Sequence, residues 1–252
     1  MGVLSMSPAL PKEIIDEICL YLPLEKSLYI SEYATLKRMG QAKDTFLNTL
    51  LVQKETTDAY FYFKSHFPCE YTLFHLTHCM FNDHYVIFYD ILKSKEWSEI
   101  EKMNILQYII FTNKVKFLNI TIGVYGKNMV INVMNTSDGI YDLIARKDCL
   151  FLLDFMYQNK RMIQNYENHI NFMLNEAVAF SSFKIIKFCF EKELENCELK
   201  EESIVRFMLR YDNAKIFKYI IHNFQPEITW RLRRRCALHG TLKMNKIIKN
   251  NN

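Results

Sequence analysis

The phrase KIIKFCFEK at 184–192 returns thirty-one positions later as KIFKYIIHN, and after another thirty-one the chain reads NKIIKNNN. A fixed interval of this size is the sign of one small structural unit copied and stacked, because a lone pair of short helices cannot cover its own apolar faces. With Ile185, Ile216 and Ile247 as anchors, the arrangement traces back to Leu152, Phe117 and Ile87, at spacings of 30, 35, 33, 31 and 31. The residue after each anchor is apolar too (Phe88, Leu118, Leu153, Ile186, Phe217, Ile248). The next one, at Tyr89, Asn119, Asp154, Lys187, Lys218 and Lys249, falls on the side of a helix that faces water.

Four residues before each anchor stands a turn-forming or polar residue: Asp83, Asn113, Asp148, Ser181, Asp212 and Lys243. Such residues end one helix and cap the next. Seven and eight before each anchor lie pairs that are apolar in five cases of six: Cys79-Met80, Ile109-Ile110, Ile144-Ala145, Ala177-Val178, Met208-Leu209 and His239-Gly240. Each unit therefore reads as helix, tight polar turn, helix. Six glycines and five prolines in 252 residues are too few for a sheet-rich fold with its many hairpins, so the expected class is all-α.

The phrases DNAKIFKYII (212–221), SSFKIIKFCF (181–190) and NDHYVIFYDIL (82–92) resemble the second-helix signature of ankyrin repeats. The resemblance covers residues 72–252 and implies a helical-hairpin solenoid of about six degenerate ankyrin-like repeats. No glycine follows Ile185 or Ile216 to shape the family's β-turn fingers, so helical or irregular links are expected there. The stretch 119–139 holds three of the six glycines and lengthens its unit to 35, which predicts a loop or small hairpin interrupting the stack.

Ahead of the repeats, LPKEIIDEICLYLPLEKSLYISEYATLKRM (10–39) carries Pro11 at a helix start, with Ile14, Ile15, Ile18 and Leu22 on one face before Pro23. Its order resembles an F-box, the three-helix module that docks on the Skp1-type adaptor of ubiquitin ligases. The F-box-like segment is placed at 8–50, and 51–71 is a helical linker or a degenerate first unit. The resemblance implies that Leu10, Pro11, Ile14, Ile18, Leu22 and Pro23 form the docking face. A plain capping hairpin is the other reading of these residues. The combination is similar to the ankyrin proteins of large and giant DNA viruses, and the heavy use of Ile, Lys, Asn, Phe and Tyr fits an A/T-rich genome. That likeness implies a recruiting or decoy role toward host proteins in the cytoplasm, with the nucleus as the other compartment.

Seven cysteines without CxxC spacing point to reduced thiols and no bridges. Cys69, His75, His78, Cys79 and His84 are the densest potential ligands, but their order matches no standard finger and core or turn roles explain them, so no metal is expected. GxSxG, SxxK and HExxH are missing, and GVYGKN (123–128) has neither P-loop nor dinucleotide-turn spacing. Cys149 or Cys236 with a distant His is the residual route to catalysis. The chain reads as a non-enzyme without a cofactor. No apolar run approaches the length of a membrane span, and the start lacks the features of a signal peptide.

From Trp230 onward seven cations and no acid follow, which exceeds the net +4 of the whole chain and leaves the rest slightly acidic. The basic patch Arg231, Arg233, Arg234 and Arg235 is open to three readings: a charged cap, an interaction patch for acidic protein or nucleic acid, or an import signal. The run 191–202 reads as a solvated link. Binding is thus the expected work of a monomeric scaffold with protein partners, nucleic acid being the less favoured partner and membrane no partner. Candidate contacts are the turn residues Asp83, His84, Asn113, Asp148, Ser182, Asp212 and Asn213.

Overall fold

The computed structural model describes residues 43–52, 57–67 and 69–251. Among these residues every regular element is helical, and no helix is long and apolar enough to cross a membrane. The chain divides into two compact units, 1–96 and 97–252.

The first unit holds α1 (Lys43–Val52), α2 (Thr57–His66), α3 (Leu73–Phe81) and α4 (Tyr85–Lys93). Sequential helices pair, α1 with α2 and α3 with α4, while α1 packs on α3 and α2 on α4. Leu50, Leu51, Tyr60, Phe63, Leu76, Met80, Ile87 and Phe88 fill the space between them. Burial of Tyr60 raises its hydroxyl pKa well above the usual phenol value, so it stays protonated and donates to Asp90 Oδ2 at 2.7 Å. Lys64 Nζ reaches the same carboxylate at 2.6 Å, tying α2 to α4. Asn82 Nδ2 donates to the Leu51 carbonyl at 3.0 Å and thereby closes the end of α1.

The second unit begins with a capping box. Ser98 Oγ accepts from the Glu101 N–H and Glu101 Oε2 accepts from the Ser98 N–H (3.3 and 2.9 Å), which starts α5 (Glu99–Thr112). Then follow α6 (Val115–Tyr125), α7 (Lys127–Thr136), α8 (Gly139–Arg146), α9 (Leu150–Gln158), α10 (Tyr166–Phe180) and α11 (Phe183–Lys192). The last four are α12 (Glu201–Arg210), α13 (Ala214–Phe224), α14 (Trp230–His239) and α15 (Leu242–Asn250). Two ranks emerge from their contacts. In one, α5, α8, α10, α12 and α14 touch in succession; in the other, α9, α11, α13 and α15 do so; α5, α8, α10 and α14 also meet their sequential partners, and α12 meets α13 through the Phe207 and Phe217 rings.

The expected helix–turn–helix grammar is visible in the backbone. Asp83, Asn113, Asp148 and Ser181 all have left-handed φ values, 64°, 54°, 51° and 61°. In three of these turns the following N–H bonds back to the carbonyl five residues earlier: His84 to Cys79 (2.9 Å), Cys149 to Ile144 (3.1 Å) and Ser182 to Ala177 (2.8 Å). This is the Schellman closure that glycine usually serves. Here short polar residues take its place at a cost of about 1 kcal/mol each. The residue after each anchor is buried in all six units, and the next is exposed in all six.

Three expectations are corrected. Residues 119–139 form neither loop nor hairpin: α6 continues to Tyr125, Gly126 turns the chain at φ 78°, and α7 packs on α5 and α6 as an added helix. Lys243 is not a turn residue but lies inside α15, because Thr241 is the better cap and accepts from the Met244 N–H at 3.3 Å. The link 191–202 is not wholly solvated either. Glu193 is buried, accepting from the Tyr166 hydroxyl (3.1 Å) and Asn196 Nδ2 (2.7 Å), beside a 3₁₀ turn at Leu194–Asn196.

Links at the far ends of the helices are held by buried or half-buried amides. Asn175 of α10 is fully satisfied: Nδ2 donates to the Asn171 and Glu198 carbonyls (2.9 and 2.8 Å), and Oδ1 accepts from the Lys200 N–H (2.8 Å) and the Ser203 hydroxyl (3.0 Å). Asn135 does similar work for the link before α10, bonding Met162 O at 3.1 Å and Gln164 N at 2.9 Å.

Candidate interaction surface

Helices α12 and α14 lie side by side in the first rank, and the geometry of α14 is set at its start. Thr229 Oγ1 accepts from the Leu232 N–H (3.1 Å) and donates to Glu201 Oε2 on α12 (2.6 Å). With Leu232 and Cys236 turned inward at an i, i+4 spacing, Trp230, Arg234 and Leu238 are left along an outer face, flanked by Arg231 and Arg235. These residues line one side of an open cleft of about 880 Å³; Glu201, Glu202, Val205, Arg206 and Leu209 line the other. Three large apolar side chains stand in water there: Trp230 is 65% exposed, Leu238 66% and Leu209 55%. Arg231, Arg234 and Arg235 make no ion pair with any described residue, whereas Arg206 is held by Glu176 through two bonds of 2.8 and 3.2 Å.

The cationic character continues along the first rank. The Phe180 ring at the end of α10 is approached by Arg146 (4.4 Å), Arg210 (4.9 Å) and Arg206 (5.9 Å), and Lys147 Nζ sits 3.9 Å from the Phe111 ring centre. Each aromatic face offers a negative quadrupole to these charges, in addition to the carboxylates that hold two of them, Asp142 on Arg146 (2.7 Å) and Glu176 on Arg206 (2.8 Å).

The structure brings together three of the four arginines expected to act as a patch. Arg233 is turned away and lines a separate depression with His222, Gln225 and Pro226. Sequence reasoning missed Leu209 and Leu238; the available signal was the apolar, arginine, apolar spacing of Trp230, Arg234 and Leu238. The proposed docking residues Leu10, Pro11, Ile14, Ile18, Leu22 and Pro23 lie outside the described residues.

The turn contacts fall in three groups. Asp83 and Asp212 are exposed, while His84 and Ser182 are buried, so the latter two turn their side chains inward. Asn113, Asp148 and Asn213 serve neighbouring backbone. Asn113 Nδ2 donates to Lys147 O (3.2 Å). Asp148 accepts from the N–H groups of Ile185 (3.0 Å) and Lys184 (3.3 Å), which caps α11 from the preceding pair. Asn213 Oδ1 accepts from the Ile216 N–H at 3.2 Å and caps α13.

His75 Nδ1 accepts from the Thr72 N–H at 3.0 Å, and Cys79 is buried with its thiol pKa pushed up by desolvation. Among the described residues no three His, Cys, Asp or Glu side chains converge on a metal-sized site. The six described cysteines are free thiols. Burial pushes the Cys149 thiol up to about 12 and raises Cys236 as well, the direction opposite to the one that activates a nucleophile.

A scan against family models and searches of curated proteins and of solved structures each give no match, so the surface chemistry of the chain itself has to carry the functional reading.

Proposed function

We propose that this chain is a non-enzymatic protein–protein interaction scaffold. In this reading its helix pairs are degenerate ankyrin-like repeats stacked as a solenoid. The F-box-like segment at 8–50 binds a Skp1-type adaptor and so brings a held partner to a cullin-type ubiquitin ligase, a host protein if the chain is viral. The observation that supports it is the cleft between α12 and α14, where exposed Trp230, Leu209 and Leu238 lie among Arg231, Arg234 and Arg235, which make no ion pair with a described residue. Tryptophan and arginine are the residues that dominate binding energy at protein interfaces.

The chain has two tryptophans, and Trp97 is buried while Trp230 is exposed, so a partner seated in the cleft shifts only the Trp230 emission. Titrating a synthetic helical peptide with Leu at i, i+3, i+4 and i+7 and Glu on its other face should shift that emission to the blue, and Arg234→Glu with Arg235→Glu should abolish the shift. In a separate arm, a purified Skp1-type adaptor should co-elute with the wild-type chain and not with Leu10→Ala, Pro11→Ala. An unmoved emission removes the cleft from the reading; failure to co-elute removes the ligase.

Arg231, Arg234 and Arg235 also favour a second reading, nucleic-acid or acidic-partner binding by the basic C-terminal end. Under it, an oligonucleotide rather than the peptide would move Trp230, with steep loss on adding salt.

A further inference from the structure

The second rank carries a regularity that the cleft does not use. Lys184, Lys215 and Lys246 recur at intervals of 31 residues, as do Lys187, Lys218 and Lys249. They occupy the positions just before and two after the anchors of α11, α13 and α15, three helices that touch in succession. All six lysines are exposed, and the intervening Ile186, Phe217 and Ile248 are buried at matching places. The register is therefore the same on each helix, and the lysines form two parallel rows of three. Lys215, Lys218, Lys243 and Lys246 line a single open depression of about 650 Å³, which shows that α13 and α15 present them to one surface. Acids are sparse: Asp212 stands at one margin of the depression, and Glu191 pairs with Lys187 at 3.5 Å. The other five make no ion pair with a described residue.

We infer that this lysine lattice binds the phosphate backbone of duplex DNA without reading its sequence. Lysine is a point charge suited to phosphate, and it is depleted at protein–protein interfaces. Between the rows lie no exposed apolar anchors of the sort found in the α12–α14 cleft, and the amide that lines the depression, Asn213, has its Oδ1 engaged in capping α13 rather than free to read a base edge. Dimensions agree as well. Packed helices sit about 8–10 Å apart, so three of them span roughly 20 Å. Duplex DNA carries one charge per about 1.7 Å of axis, hence about twelve phosphates over that span, of which roughly half face one side. Six ammonium groups match that number.

The test is fluorescence anisotropy of a labelled random-sequence duplex of about 24 base pairs, titrated with the full chain over a range of salt. Six phosphate contacts predict a slope of log Kobs on log salt near −5, about −0.9 per contact. Lys184→Gln, Lys215→Gln, Lys246→Gln together should flatten it to about −3, and the same three positions changed to Arg should restore it. Arg233→Gln, Arg234→Gln, Arg235→Gln should leave it unchanged. Thermal melting of each variant, expected unchanged for exposed sites, separates lost contact from lost fold. The inference is overturned if the duplex does not bind at low salt, if the glutamine variant keeps the full slope, or if the arginine variant shows the larger effect. It is equally overturned if phosphatidylserine vesicles, and not the duplex, respond to the lysine changes. Peptide binding in the cleft is read separately through Trp230, so either result leaves the other standing.

Discussion

The pair α10/α11 and the pair α14/α15 share a register and differ in nearly everything built on it. In α10, Ile170, Met173, Leu174, Ala177 and Val178 are buried between α8, α12 and α11; in α14, only Leu232 and Cys236 are. The α10/α11 turn closes on a left-handed Ser181, whereas the α14/α15 turn has no left-handed residue and relies on Thr241 as a cap. Gly240 is required there for room, since a Cβ at that position would meet the Cys236 carbonyl oxygen at 2.7 Å. One sequence pattern thus supports two outcomes: where helices flank a pair on both sides the pattern makes core, and where they flank it on one side it makes surface available for contact.

Four experiments can break or refine this contrast. The largest effect is expected in the core: Ile185→Ala should cost about 4 kcal/mol, and Ile247→Ala, the same register position but half-buried, about 1 kcal/mol by urea denaturation. Equal losses would mean that the two pairs are packed alike.

Next comes the amide that α10 offers to the following link. Asn175→Leu strands the Lys200 N–H, the Ser203 hydroxyl and the Glu198 carbonyl, so a loss of about 3 kcal/mol is expected, with faster hydrogen exchange at Lys200. A near-neutral result would show that water replaces the amide.

Glycine substitutions at the left-handed turns give smaller and opposite effects. Ser181→Gly relieves the backbone and should gain about 0.5 kcal/mol. Asp148→Gly relieves the same strain but removes the cap on α11, for a net loss of about 1 kcal/mol in thermal melting.

The smallest effect concerns pH. Burial lowers the His169 pKa below the usual imidazole value, and its ring stacks on Tyr141 at 3.7 Å. The folded state therefore resists the proton that the unfolded chain accepts near pH 6.5, and stability falls as pH drops through that region. His169→Phe should flatten the stability profile between about pH 7 and 5; an unchanged profile would assign the slope to other groups.

What the sequence revealed was whatever repeats. The residues after the anchors are legible because each is buried at the same place in its helix, and Asp83, Asn113, Asp148 and Ser181 are legible because few residue types tolerate a left-handed turn. Asn135 and Asn175 escaped notice because the links they hold differ in length and leave no common spacing. The added helix α7 was hidden by its glycines, which read as loop although Gly126 alone makes the bend. At the cleft, the arginines were visible as a run, but which of them converge depended on the helical phase fixed by Leu232 and Cys236.

The carboxylate of Asp148 belongs to one pair yet terminates a helix of the next, so α11 gains its first-turn closure only once the turn between α8 and α9 is in place. Order is lent forward along the chain: fraying that begins at α8 and α9 should loosen the start of α11 before its own core opens.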